Sequence, residues 1–414
     1  MGTVAVVGAG PAGMLAARQA ALGGAKVILL EKNNRLGKKL VITGKGRCNV
    51  TNDADTNTLV KNMPGNGRFL YSAFTAFGSR DLQRFLEEHG VPLKVERGNR
   101  VFPRSDRSFD VVDGLRLALK RNNVEVRLQA RVNRLLSEAG RVIGLVVNER
   151  PLYCDAVILC TGGASYPATG STGDGYRLAE EVGHTIVPPR PALVPLEVVE
   201  EWPKTLPGLA LKIVELTIRQ GERILAQEFG EMLFTHYGVS GPIVLTVSRW
   251  VTHRRGNQPL VGSINLKPAL TEEQLDRRLQ RDLLKHQRKL VRNALDDLLP
   301  KRLIPVVISL AGLAPDKPVH QVTRAERRAL LDCLTDLRFT IKGPRPLSEA
   351  IVTAGGVSTK EIDPKTMQSK LVSGLYFAGE IIDVDGYTGG FNLQAAFSTG
   401  YLAGEKAAQQ VQGG

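Results

Sequence analysis

The sequence predicts an α/β fold: a Rossmann-like domain assembled from both ends of the chain, split by a β-barrel insertion that carries a helical subdomain. Three observations predict it. A strand–glycine–helix–strand unit opens the chain over 3–31, apolar strands ending in glycine recur at 156–163 and 371–380, and from about 188 to 343 the βα rhythm stops.

The opening unit reads TVAVVGAGPAGMLAARQAALGGAKVILLE. An apolar strand runs into Gly8-x-Gly10-x-x-Gly13, an Ala-rich helix follows, then a second strand from Lys26 to Leu30, closed by Glu31. Gly8 permits the sharp turn, Gly10 lets a diphosphate approach the backbone, and Gly13 lets helix and strand pack closely. Glu31 can accept hydrogen bonds from ribose hydroxyls. Strand, glycines, helix, strand and acid in this order predict a bound dinucleotide, with its diphosphate on the helix N-terminus.

The returning strands decide which dinucleotide. AVILCTGG and LVSGLYFAGE are expected to rejoin the first sheet, as in two-part flavoproteins. Gly389 and Gly390 then lead into an Ala-rich helix beginning near Asn392, whose free N–H groups and positive dipole end suit the N1/C2=O edge of a reduced, anionic flavin. No second GxGxxG follows a strand. FAD is therefore the expected resident, and a nicotinamide donor, NADH or NADPH, would visit transiently.

The insertion begins after the proline-rich PPRPALVPLEV. Residues 211–249 alternate apolar and polar with Gly turns, as antiparallel strands do. From Thr271 to about Leu299 the period becomes helical, with Leu279, Leu283, Leu290, Val291, Leu295 and Leu298 as an apolar stripe. The expected division is 1–190 with 344–414, 191–268 with 335–343, and 269–334.

Charge points to partners. Fifty-five Lys and Arg against 41 Asp and Glu give +14, an excess that favours polyanions, nucleic acid before an anionic membrane surface. The helical stretch carries Arg277, Arg281, Lys285, Arg288 and Arg292 at three- and four-residue intervals, hence on one expected face for RNA, although such a run also suits a solvated surface. Further clusters are Arg35, Lys38, Lys39, Lys45 and Arg47, then Lys94, Arg97, Arg100, Arg104 and Arg107. The first leads into TGKGRCN at 43–49.

Four cysteines form no CxxC pair and no ligand-spaced cluster with His, so free thiols are expected and a metal is not. No apolar run reaches the ~20 residues of a membrane span, and a cytoplasmic location is expected.

With LGKKLVITGKGRCNVTN, LFTHYGVSGP, TAGGVSTKEID and GLYFAGEIIDVDGYTGGFNLQAAFSTG, the chain resembles the BaiN/RdsA family of FAD-dependent oxidoreductases over nearly its whole length. The resemblance implies a glutathione-reductase-type FAD domain. It also implies several substrates: a uridine of 23S ribosomal RNA, a bile-acid enone, or aminoacetone. Flavin contacts are implied at Gly8, Ala9, Gly10, Pro11, Ala12, Gly13, Glu31, Lys32, Lys39, Gly46, Arg47, Cys48, Val132, Thr161, Gly162, Gly379, Glu380, Asn392 and Leu393.

Reduction of uracil needs a hydride at C6 and a proton at C5. Cys48, its pKa expected to be lowered by neighbouring cations, is the first candidate acid, and His236 the second. Packing against the flavin is the alternative role for Cys48. The density of basic charge favours 23S RNA or its precursor as substrate, against a small-molecule reductase or oxidase and against a non-catalytic flavin-containing RNA-binding protein.

Overall fold

In a computed structural model describing residues 2–253, 256 and 258–413, the chain folds into two compact units, Met1–Ala192 with Leu347–Gly414 and Leu193–Pro346. The first is built on a five-stranded parallel sheet in the order Leu375–Phe377, Ala156–Leu159, Thr3–Val7, Lys26–Leu30, Glu125–Arg127. Strands near both ends of the sequence thus share one sheet, as the returning apolar strands predict. Val6 sits between Ile158 and Leu29. The strands Thr3–Val7, Lys26–Leu30 and Ala156–Leu159 are mostly apolar and buried, as strands covered on both faces are, whereas the edge strand Glu125–Arg127 is exposed.

Two helices lie close together in this unit. The helix Pro11–Leu22 and the C-terminal helix Phe391–Gly413 meet where a Cβ on Gly400 would lie 2.3 Å from the Ala12 carbonyl oxygen, and one on Gly404 2.3 Å from that of Ala16. Any side chain at either position would push the helices apart. Three small antiparallel sheets complete the unit: the meander Val132–Glu138, Arg141–Val147, Arg150–Tyr153, the sheet ordered Thr51–Asn52, Arg100–Pro103, Leu93–Glu96, and the pair Ile186–Ala192 with Val352–Val357.

The second unit contains the expected barrel, closed in the order Leu196–Val198, Gly238–Ser240, Arg223–Thr235, Ala210–Gln220, Leu260–Asn265, Leu337–Pro344. The helical segment does not stand apart from it. Leu275, Leu279 and Leu330 share one buried core with the barrel's Leu216, Phe234 and Phe339.

The helix expected over Thr271–Leu299 is shorter than its periodicity suggests. It runs Glu272–Lys285, starts in a capping box of Thr271 and Gln274, and ends at His286. Beyond it the backbone pairs with another segment instead of with itself: Val291 N–H donates to the Lys317 carbonyl (3.0 Å) and Val319 N–H to that of Lys289 (3.0 Å). Tertiary pairing has overridden local periodicity.

Candidate functional site

Three strand ends of the first unit converge on the N-terminus of helix Pro11–Leu22, the carboxyl edge where open α/β sheets bind ligands. At the first, Gly8 has φ +99° and a Cβ there would lie 2.5 Å from the Cys160 carbonyl oxygen. Gly13 is tighter still, since its Cβ would lie 1.8 Å from the Gly8 carbonyl oxygen. Gly10 differs from both: nothing lies within 4 Å of its Cβ position, so that side of the turn is open. The first helical bond runs from Met14 N–H to the Gly10 carbonyl (3.0 Å). Ala12 and Gly13 thus offer first-turn N–H groups with no acceptor inside the helix, and no acid occupies that turn. A diphosphate fits this cradle by space and by charge.

Glu31, at the end of strand Lys26–Leu30, is buried. Its Oε2 accepts from Ala9 N–H (2.9 Å), and its Oε1 from Asn33 N–H (2.8 Å) and Nδ2 (2.7 Å). Each carboxylate oxygen can accept more than one bond, so capacity for ribose hydroxyls remains. Val132 is buried at the start of its strand, and Ala130 N–H, two residues earlier, donates to the Glu31 carbonyl (2.9 Å). Lys32 turns aside to Asp174 (2.8 Å) and Thr172 (2.6 Å).

The other two strand ends bring Thr161–Gly162 and Gly379–Glu380. A Cβ on Gly379 would lie 2.9 Å from Ala12 Cβ, which places Glu380 beside the cradle. Lys39 Nζ donates to Glu380 Oε2 (2.8 Å) and Ser165 Oγ (2.7 Å), while Glu380 Oε1 accepts from Thr353 N–H (2.7 Å) and Ser165 Oγ (3.1 Å). Sequence reasoning missed Ser165 and Thr353. The signal for Ser165 lies in the ASY that follows the Thr161-Gly-Gly turn. It also missed Tyr176, whose buried hydroxyl has no hydrogen-bond partner; burial, then the charges of Glu380 and Asp383, push it above the ordinary phenol range.

Residues 43–49 form a tight, left-handed turn, with φ +57° at Gly44, +59° at Lys45 and +86° at Gly46. Gly46, like Gly10, has nothing within 4 Å of its Cβ position. Asn49 Oδ1 is buried without a partner, an acceptor left for a ligand. Two expectations change here. Arg47 does not activate the thiol beside it: its guanidinium lies 4.2 Å over the Phe102 ring and pairs with Glu96 and with Asp106 (2.7 Å). Cys48 is fully buried, and burial pushes its thiol up to about 12, only partly offset by a hydrogen bond with Thr43. Desolvation sets the direction, so the lowered pKa expected of Cys48 is not found.

Asn392 lies in the first turn of the C-terminal helix, where its side chain brackets the approach loop. Its Oδ1 accepts from Gly386 N–H (2.7 Å) and its Nδ2 donates to the Gly386 carbonyl (2.9 Å). Gln394 N–H makes the first helical bond, to the Gly390 carbonyl (3.0 Å), so the N–H groups of Asn392 and Leu393 face out of the helix end without helical acceptors.

Chain Rossmann-fold similarity extends beyond this edge. The description "HI0933-like protein Rossmann domain" matches residues 2–406. The chain belongs to this family. The HI0933-like family is one of FAD-dependent oxidoreductases. The chain is 34% identical to the 3-dehydro-bile acid delta(4,6)-reductase of Clostridium scindens, over 99% of this chain and 100% of that protein. It is 32% identical to the ribosomal RNA dihydrouridine synthase of Escherichia coli, over 97% and 96%. The 3-ketosteroid delta1-dehydrogenase of Sterolibacterium denitrificans shares the fold, at TM-score 0.53 and 15% identity over 99% of this chain and 100% of that one.

His236 and the basic helix belong to the second unit. His236 is exposed in the turn between strands Arg223–Thr235 and Gly238–Ser240, its ring 4.8 Å from that of Tyr237. Because the helix ends at Lys285, Arg288 and Arg292 do not share a face with Arg277, Arg281 and Lys285 as expected. The stretch also has more counter-charge than its sequence suggests: Arg277 lies 3.9 Å from Glu273, Arg281 3.4 Å from Asp282, and Lys285 2.9 Å from Asp297, while Arg292 pairs with Asp316.

Proposed function

We propose that the protein is an FAD-dependent reductase that converts a uridine of 23S ribosomal RNA, or of its precursor, to dihydrouridine in the cytoplasm, with NADH or NADPH as electron donor. When bound, and once reduced by the nicotinamide donor, the flavin would supply the hydride from its N5. In this reading the open side of Gly10 and the first-turn amides of Ala12 and Gly13 hold the diphosphate, and Glu31 holds the adenosine ribose. The amides of Asn392 and Leu393 favour negative charge at the N1/C2=O edge. Lys39, Glu380 and Ser165 fix the 37–49 segment against the strand ends.

A thiol held at about 12 is a poor acid at neutral pH, so Cys48 serves here as packing. The proton for C5 then comes from a group other than this thiol.

The net charge of +14 carries the choice of RNA. Relatives named for a bile acid and for ribosomal RNA stand at 34% and 32% identity, too close to separate substrates, whereas a steroid-like enone gives no reason for the cationic excess. A uridine within structured RNA must leave its stack to be reduced, and precursor RNA is the accessible form. Mass spectrometry of 23S RNA from a gene-deleted strain tests the reading: dihydrouridine should disappear, and an undiminished level rejects it. Anaerobic mixing of reduced protein with unmodified 23S transcript should reoxidise the flavin. Reoxidation by a free enone but not by RNA would favour the small-molecule reading, and RNA binding without reoxidation a non-catalytic one.

A further inference from the structure

Basic charge also lies within the first unit itself, beside its glycine turns. It is carried by the hairpin formed by strands Leu93–Glu96 and Arg100–Pro103. Short strand Thr51–Asn52 pairs with this hairpin, Thr51 opposite Val101 and Asn52 opposite Arg100. On its other side the same strand meets the glycines that lead into the C-terminal helix: a Cβ on Gly390 would lie 2.3 Å from the Thr51 carbonyl carbon. Buried Asn52 closes the link, its Nδ2 donating to the Gly98 carbonyl at the hairpin tip (3.0 Å) and to the Gly389 carbonyl (3.1 Å). The tip and the start of the C-terminal helix are therefore one side chain apart.

The hairpin's acids are already satisfied. Glu96 and Asp106 are paired with Arg47 and with Lys94, which lies 3.5 Å from Glu96 and 2.7 Å from Asp106. Two carboxylates against two cations leave this cluster neutral. Arg97, Arg100 and Arg104 are exposed, and among the described residues none has a carboxylate within ion-pair distance. Arg100 Nε donates to the Arg97 carbonyl (3.0 Å) and its guanidinium lies 5.7 Å from the Phe102 ring centre, so it is held alongside the turn. By contrast Arg277, Arg281 and Lys285 each have a carboxylate within 4 Å. Uncompensated guanidinium groups seek phosphates, whose planar, bidentate recognition they suit.

We infer that Arg97, Arg100 and Arg104 form the phosphate-gripping edge that holds the RNA strand next to the flavin site, with Asn52 fixing that edge relative to Gly389. The inference rests on the RNA-substrate reading and deepens it. Three point contacts to a single strand contribute about 2 to the slope of log K against log salt, at about 0.7 each.

The test is binding of unmodified 23S transcript to the holoenzyme between about 50 and 200 mM salt, for wild type, R97A/R100A/R104A, R97K/R100K/R104K and R277A/R281A. The hairpin alanine variant should bind more weakly, with the slope reduced by about 2, while keeping its bound flavin spectrum. The lysine variant should restore most of the slope, because counterion release depends on charge. An unchanged slope in the alanine variant, with wild type binding RNA normally, overturns the hairpin assignment alone; so does a loss confined to R277A/R281A. Wild type that fails to bind the transcript overturns both this and the parent reading. Hairpin-dependent binding to phosphatidylserine vesicles with RNA binding unaffected would assign the edge to a membrane surface and overturn it as well.

Discussion

Lys39 Nζ lies 2.8 Å from Glu380 Oε2, joining residues 341 positions apart in sequence. The pair ties the segment leading into TGKGRCN to the last strand end of the sheet, and both side chains are about one-fifth exposed. Glu380→Gln keeps an oxygen for Thr353 N–H and Ser165 Oγ but turns an amide NH₂ toward the ammonium group. We predict a loss of about 1–3 kcal/mol and reduced flavin retention. The double variant with Lys39→Met should recover part of it, because the unpaired ammonium is gone. Urea denaturation of the four-member cycle measures the coupling; strictly additive losses would rule the interaction out.

Gly10 and Gly13 should fail in different ways. At Gly13 a methyl would sit 1.8 Å from the Gly8 carbonyl oxygen, so Gly13→Ala must displace the helix and is expected to lower the stability of the apoprotein itself. At Gly10 the methyl enters open space from a backbone at φ −79°, which alanine accepts. Gly10→Ala should leave the apoprotein's melting temperature unchanged and weaken FAD binding by at least about tenfold, roughly 1.4 kcal/mol. Calorimetric titration of stripped protein with FAD decides it. Unchanged affinity in Gly10→Ala would mean that the diphosphate lies elsewhere.

The glycine turn after the first strand was legible because its constraints are local. Gly8, Gly10, Gly13 and Glu31 lie within 24 residues and each type answers a steric or hydrogen-bonding need of the turn. The returning strands were legible for the same reason that they are buried: a parallel strand covered on both faces is apolar throughout. Charge was harder to read. Periodicity placed Arg288 and Arg292 on a helix that tertiary bonds at Val291 and Val319 cut short, and nothing local announces that Asp297 and Asp316 come back to neutralise Lys285 and Arg292. Cys48 misled for a related reason, since cations adjacent in sequence need not act on the thiol, whose burial raises its pKa. The link through Asn52 depends on a two-residue strand, too short for any periodicity to reveal.

Three buried thiols predict a loss of stability at alkaline pH. Burial pushes Cys48 and Cys154 from the ordinary 9.0 up to about 12, and Cys160 upward as well. A raised pKa means that the folded chain keeps these protons while the unfolded chain releases them. Their contribution is therefore complete below pH ~9 and is lost as the pH climbs toward ~12. Between about pH 8 and pH 10 each thiol should cost on the order of 1 kcal/mol. Cys48→Ala should flatten that decline by one thiol's share, as read from urea midpoints at the two pH values. It should also leave reduction of the substrate intact; a large fall in turnover with the flavin still bound would restore Cys48 to the chemistry.

His184 should govern part of the acid limb. Its buried ring meets Ser369 Oγ through Nε2 (2.8 Å) and the edge of Phe377 (centroids 4.8 Å), while Nδ1 lies 3.3 Å from Glu361 Oε2 without the alignment of a hydrogen bond. Burial lowers its pKa, and the opposing pull of Glu361 does not restore it. For a base whose folded pKa is depressed, the unfolded chain takes up the proton first. Stability is thus complete above the ordinary 6.5 and drains away as the pH falls below it. His184→Gln should be less stable near neutrality, by about 1–3 kcal/mol for the disrupted buried contacts, yet lose less on acidification. Urea midpoints of both proteins from about pH 7.5 to pH 5 should converge; parallel curves would show that the imidazole takes no part in the acid transition.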